Sequence, residues 1–354
     1  PPPPPAAAVN KPIAPLPRVA AKGKASAPSA AAARNNLMVV VRCRPLSDKE
    51  HARGLESCVR VEGGTVVVSD PGHFADNYMR RARLRDREYT FDAAFDGAAT
   101  QEAVYQATVA TLLPGVMSGF NATVFAYGAT GSGKTHTTLG TKDAPGIMGR
   151  TMTQLYKSIH ELQAAGDRFV TVSLSYVEVY NENIRDLLAP DAPGALDAVT
   201  PSLDLREDPV HGPCVAGITE HTVASADDIM SLLIGGHKRR TVEPTAANQE
   251  SSRSHAVLQI FVTSAPQRAG DLAHSSKLSL VDLAGSERAA NTLNTGQRLL
   301  EGANINRSLL ALGNCITALA QGKGAFVPYR DSKYVCVCVC VCVCHDPPFL
   351  PHSV

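Results

Sequence analysis

Residues 122–138 read ATVFAYGATGSGKTHTT, a β-prone apolar run that enters a glycine-rich turn and leaves it through Lys134 and Thr135. This stretch constrains the fold more than any other. Glycines let successive backbone N–H groups turn inward, and such a concavity holds an anion, the more so where it opens a helix. Gly128 to Thr135 fit GxxxxGK(S/T), in the strand–loop–helix order that the pattern requires. Gly128, Ala129, Thr130, Gly131, Ser132 and Gly133 are therefore candidate phosphate-cradling residues. Lys134 would add a point charge near the β and γ phosphates, and the Thr135 hydroxyl could ligate Mg²⁺.

Two further segments supply matching chemistry. LSLVDLAG is an apolar strand ending in Asp282, the arrangement that holds Mg²⁺ through its water shell beside a phosphate loop. NQESSRSH (248–255) puts hydroxyls beside a cation that could face phosphate. No NKxD-like guanine reader occurs, which favours ATP over GTP. Between Leu37 and Lys333, strand candidates (37–43, 65–69, 89–95, 122–128, 169–180, 255–264, 277–285) alternate with helix candidates (100–118, 149–165, 225–240, 304–321). Ser225 and Asp228 have capping-box spacing. Alternation of this kind predicts an α/β fold with a central mixed, mostly parallel sheet and helices on both faces.

Residues 1–36 are mostly Pro, Ala, Lys, Ser and Gly and are expected to be a disordered arm. They lack the apolar region of a signal peptide, and the ten-residue Val/Cys tract is far too short to span a bilayer. Cys43, Cys58, Cys214 and Cys315 are scattered without CxxC spacing, which fits a reducing cytoplasm. A net charge of +1 gives no global field, and neither a nucleic-acid nor a membrane partner is expected.

GATGSGKTH, NQESSRSH and VDLAGSER, in that order, resemble the P-loop, switch I and switch II of the kinesin motor domain. VRCRP, YNENIRDLL, NINRSLLALGNCITAL and VPYRDSK extend the resemblance over residues 37–333. ATQEAVY, LREDPVHGPCVAGITE and a long basic loop look most similar to the kinesin-8 class. The resemblance implies a P-loop NTPase fold of kinesin type and microtubule-stimulated ATP hydrolysis driving movement along microtubules. For this class that movement is plus-end directed, with depolymerisation at the microtubule end. The alternative is a nucleotide-gated tubulin-binding module without productive turnover.

Carried over by position, the resemblance puts Arg42, Arg44 and Pro45 around the adenine, with His136 stacking opposite. Thr135 and Ser252 would coordinate Mg²⁺, with Asp282 behind them. Ser251 would pass on the proton of the attacking water, and the Gly285 N–H would sense the γ-phosphate. Arg253 and Glu287 would close as a salt bridge only when that phosphate is present. Microtubule contact is expected from Arg307 on the helix 304–321, from Tyr329, Arg330 and Lys333, and from the basic loop carrying Arg80, Arg81, Arg83, Arg85 and Arg87. From charge alone, these surfaces also read as solvated polar faces.

After Lys333 the resemblance stops. Tyr334 leads into Val-Cys repeated five times, the product of a GT dinucleotide repeat read in frame. Residues 334–354 are thus expected to be an aberrant tail replacing the last motor elements, the neck linker and any coiled coil for dimerisation. Its alternation is otherwise strand-like, and its thiols could line one strand face as a metal tract.

Overall fold

The computed structural model describes residues 37–69, 86–166, 168–189, 202–208, 212–242, 252–266, 273–287, 297–321 and 326–340. The arm 1–36, Arg80 to Arg85 of the basic loop, most of the 189–202 loop, Ser251 and residues 341–354 lie outside that set. Pro1–Met38 and Val39–Val354 separate as two units, and the described strands and helices all belong to the second.

The central sheet is built from β1 (Ala122–Ala126), β2 (Arg168–Tyr180), β3 (Asn183–Asp186), β4 (His221–Val223), β5 (His255–Pro266) and β6 (His274–Asp282). Their order is β4-β2-β5-β6-β1, with β3 also paired to β2. The sheet is mixed, as expected, but the parallel share is smaller than the alternation suggested. Within this sheet only β6 and β1 run parallel; the pairings of β2 with β3, β4 and β5, and of β5 with β6, are antiparallel. Short connections account for two of these pairings, β2 with β3 and β5 with β6, because a tight link can join only antiparallel neighbours; β2 reaches β4 and β5 through much longer segments. β2 turns into β3 through Asn181 and Glu182, both left-handed at φ 49° and 62°, the geometry of a two-residue hairpin loop. Outside this sheet, Val40–Arg42 pairs parallel with Ala93–Phe95.

Helices cover both faces. On one side α1 (Gln101–Ala107), α3 (Ile147–Ala164) and α4 (Ala226–Val242) pack on Leu174, Tyr176, Leu258, Ile260, Leu278 and Leu280. On the other, α5 (Gln297–Ala320) covers Val177, Val179, Val257 and Val281. The period-two alternation of each strand sorts its side chains between the two layers. Short α2 (Lys134–Thr138) follows the glycine-rich loop. Ser225 and Asp228 do form a reciprocal cap for α4, each side chain accepting from the other's backbone N–H at 3.0–3.1 Å. The expected helix 100–118 is broken at Thr108 and resumes at Leu113 beside Pro114, while α5 begins at Gln297 rather than Asn304.

The Val/Cys repeat is not a strand where it is described. Lys333–Val335 (α6) is helical and continues into a π-helical turn, Cys336–Cys340. Tyr334, Val335, Cys336, Val337 and Cys338 are buried against α5, so the packing continues past Lys333. The Glu182 carboxylate accepts from the Lys333 N–H at 2.8 Å and from the Ser332 hydroxyl at 2.7 Å, which anchors the helix start. Gln259 Nε2 donates to the Val337 carbonyl at 2.9 Å. Tertiary context here overrides strand propensity.

Candidate nucleotide site

The loop leaves β1 and reaches α2 through Gly133, whose φ of 96° a side chain would resist. The Lys134 ammonium lies on the loop itself, donating to the carbonyls of Gly128 at 2.9 Å and Ala129 at 3.0 Å. Burial lowers its pKa, and the Asp282 and Glu287 carboxylates pull partly back. Thr135 Oγ1 donates to Asp282 Oδ2 at 2.9 Å. The other carboxylate oxygen, Oδ1, is buried with no hydrogen-bond partner among the described residues. A threonine hydroxyl beside an unsatisfied carboxylate oxygen is a donor set that suits a hard divalent cation.

The segment after β6 is threaded onto the loop by its backbone. Leu283 N–H donates to Ala126 O at 3.2 Å and Ser286 N–H to Gly128 O at 3.1 Å. A Cβ on Gly285 would have to displace the Thr130 and Glu287 side chains that meet there. Its N–H, expected to sense a γ-phosphate, donates here to the Ser252 carbonyl at 2.7 Å.

Arg253 and Glu287 are not paired with each other. Glu287 accepts from Thr130 N–H at 2.9 Å and Thr130 Oγ1 at 2.6 Å, while Arg253 holds Glu301 on α5 at 2.8 Å. Both partners are local alternatives that satisfy each charge without a ligand. Burial pushes the Glu287 pKa up, but the Thr130 contacts, helped by Lys134, outweigh it and hold the carboxyl below the usual glutamate value.

The sequence reading missed Arg240. Among the described residues it is the largest fully buried side chain, with Asp282 at 2.9 Å, Glu178 at 3.9 Å and the Ser254 carbonyl at 2.8 Å. In the sequence it closes the run Lys238-Arg239-Arg240, which reads as a solvated basic helix end; only its place just before the 248–255 motif hinted otherwise. His255 was missed as well. Its Nδ1 accepts from Ala284 N–H at 3.2 Å and its Nε2 faces Ser308 Oγ at 2.8 Å. Its ring stacks on Tyr334 with centroids 4.2 Å apart. Burial, then the charges of Arg240 and Lys134, lower its pKa to about 3.

The base side is a cavity of about 390 Å³ lined by Arg42, Arg44, Pro45, Gln101, Gly133 and His136 among others. The expected base-binding residues therefore come together. Arg44 is fixed at the rim by a bidentate pair with Glu50 at 2.7 Å, and Glu50 also caps the helix Asp48–Ala52 with Ser47.

The expected polymer-facing residues divide. Arg307 is exposed on α5, as is Arg87 on its strand. Arg330 is exposed and paired with Glu207 at 2.7 Å. Tyr329 packs partly buried against the core layer under α5, and Lys333 is half-buried at the start of α6. Among the described residues, no helix is long and apolar enough to cross a membrane, and no His/Cys/Asp/Glu group could hold a metal ion as a cluster of three.

The family description "Kinesin motor domain" matches residues 42–337. Kinesin-like protein KIF19 of Mus musculus is 51% identical over 301 residues, covering 84% of this chain and 29% of that protein. Kinesin-like protein KIN-8A of Oryza sativa subsp. japonica is 44% identical over 317 residues, covering 89% and 39%. The chain thus spans well under half the length of these curated relatives. Among solved structures, a KIF14 dimer with AMP-PNP in complex with a microtubule superposes with a TM-score of 0.74 at 35% identity, covering 86% of this chain and 83% of that one. A fast kinesin superposes with a TM-score of 0.72 at 37% identity, covering 85% and 80%.

Proposed function

Because this chain belongs to the kinesin motor-domain family, we propose that it binds ATP with Mg²⁺ and hydrolyses it when docked on a microtubule, as the engine of a kinesin-8-type motor. The observation that carries this reading is the convergence of three separated segments on one loop. Lys134 and Thr135 come from the loop and α2, Ser252 from before β5, Asp282 from the end of β6, and Gly285 and Glu287 from after it.

The loop N–H groups and Lys134 bind and orient the triphosphate, the Lys134 ammonium leaving the loop carbonyls to do so. Thr135 and Ser252 would hold Mg²⁺, with Asp282 behind them, and the metal would neutralise charge building on the phosphates. Positioning and charge neutralisation supply most of what phosphoryl transfer needs. Closure requires Arg253 to leave Glu301 and Glu287 to leave Thr130 so that the two can meet. A site assembled only by that exchange turns over slowly until a partner favours it, and the microtubule is that partner. Ser251 relays the proton from the attacking water. For the whole protein the reading adds plus-end-directed movement, tubulin removal at the microtubule end, and residence on the cytoskeleton in the cytoplasm.

Phosphate release by this chain, with and without microtubules, tests the reading. Microtubules should stimulate turnover, and Glu287→Ala should abolish the stimulation while ATP binding is largely kept. An unaltered chain that binds tubulin but shows no stimulation would instead be the nucleotide-gated binding module.

A further inference from the structure

The base cavity contains a residue whose role the motifs do not assign. Gln101 opens α1 just after the Thr100 cap and is only 6% exposed. A primary amide so deeply buried must find partners for both ends, and it does. Arg42 Nη1 donates to Gln101 Oε1 at 2.8 Å. Gln101 Nε2 donates to the His136 carbonyl at 2.7 Å and faces His136 Nδ1 at 3.3 Å.

The chemistry of these groups fixes the orientation of the whole set. A guanidinium has donors only, so the amide oxygen must face Arg42 and the NH₂ must face His136. An NH₂ is likewise a donor only, so the His136 Nδ1 beside it must be the unprotonated acceptor. The imidazole is then neutral and carries its proton on Nε2. Arg42 is held in turn by Thr137 Oγ1 at 3.0 Å and the Ala99 carbonyl at 3.2 Å. Arg42, Ala99, Gln101, His136 and Thr137 all line the same cavity. One buried amide therefore ties the strand Val40–Arg42 to His136, just after the phosphate loop.

We propose that Gln101 is a positioning residue for the base-binding cavity: its amide locks Arg42 and His136 at a fixed separation and presents His136 to the base as the Nε2–H tautomer. The proposal rests on the ATP reading above and names how that site holds the base. Its consequence is selective, because Gln101 lies on the base side while Lys134 and the loop N–H groups face the phosphates.

Two probes separate the halves of the ligand: MgATP, which carries a base, and magnesium tripolyphosphate, which does not. Losing one buried hydrogen-bonding side chain should weaken MgATP roughly tenfold. Gln101→Leu should therefore lower MgATP affinity by about that factor and leave tripolyphosphate affinity unchanged. Gln101→Glu, which keeps the shape but loses the donor, should do the same and alter the His136 ring signals in a ¹⁵N spectrum. Equal weakening of both probes, or an unchanged MgATP affinity, would overturn the proposal. The ¹⁵N spectrum of the unaltered 354-residue chain decides independently of how any variant folds: a proton on His136 Nδ1 refutes the tautomer assignment. An unaltered chain that binds neither probe would defeat the ATP reading instead, and the tautomer would still be readable.

Discussion

The two ends of the nucleotide cleft are built differently. At the base end, Arg42, Gln101, His136 and Thr137 bond to one another, and Arg44 is locked by Glu50. The polar walls satisfy each other and leave the cavity between them free. At the phosphate end, the groups that would meet a nucleotide are already engaged. Lys134 lies on loop carbonyls, Glu287 on Thr130, Gly285 N–H on Ser252, and Arg253 on Glu301. The first end is preorganised and needs little rearrangement to bind. The second must exchange partners, so its closure can be biased by whatever stabilises the closed set.

Arg240 sets the boundary between fixed and exchangeable. It lies at the phosphate end, yet its side chain is 1% exposed and that of Asp282 is 5% exposed. Breaking a buried pair from one side strands the remaining charge, at a cost of about 3–5 kcal/mol. Arg240→Ala should therefore lose stability on that scale in denaturant unfolding, the largest effect foreseen here. A loss below about 1 kcal/mol, the range of exposed pairs, would move Arg240 into the exchangeable set and blur the contrast.

What the sequence made legible follows the same division. The loop and Asp282 could be found because their chemistry is written in contiguous strand–loop–helix stretches, whereas Arg42, Arg44, Pro45 and His136 were reached only through the family resemblance. Arg240 was hidden because a basic run at a helix end reads the same whether its last member faces water or a buried aspartate. Arg253 and Glu301 are separated by 48 positions, and no local pattern announces such a pair. The Val/Cys repeat reads as strand because alternation of β-branched residues is a local signal, whereas its helical form depends on Glu182 and α5, which are remote in sequence. The antiparallel bias of the sheet was likewise invisible to an alternation count, which carries no information on the direction in which strands far apart in the chain will pair.

His255 sharpens the comparison through pH. Its neutral ring bridges Ala284 N–H, Ser308 and Tyr334 behind the phosphate end. Its pKa is lowered from 6.5 to about 3 in the folded chain, so between those values the unfolded chain binds one proton more. Stability then rises with pH across that window and is lost on acidification from about 6.5 downward, by about 1.4 kcal/mol per unit. Melting at pH 7 and pH 5 should show a loss of about 2 kcal/mol from this group, and His255→Asn should flatten the slope. An unaltered chain with no loss over that range would place His255 in contact with solvent and make the phosphate end looser than described.

The smallest expected effect tests the exchange itself. Arg253 and Glu301 have side chains 21% and 13% exposed, so their pair is partly screened and worth about 1 kcal/mol. If Arg253 must leave Glu301 to reach Glu287, Glu301→Ala removes a competitor of closure without touching the loop. Basal phosphate release, measured without microtubules, should then rise by about fivefold, the factor that 1 kcal/mol allows. A fall in basal turnover would mean that the Glu301 contact persists in the closed site, and Arg253 would join Arg240 among the fixed groups. An unchanged rate would mean that closure does not draw on this pair, leaving Glu287 and Thr130 as the contact that has to break.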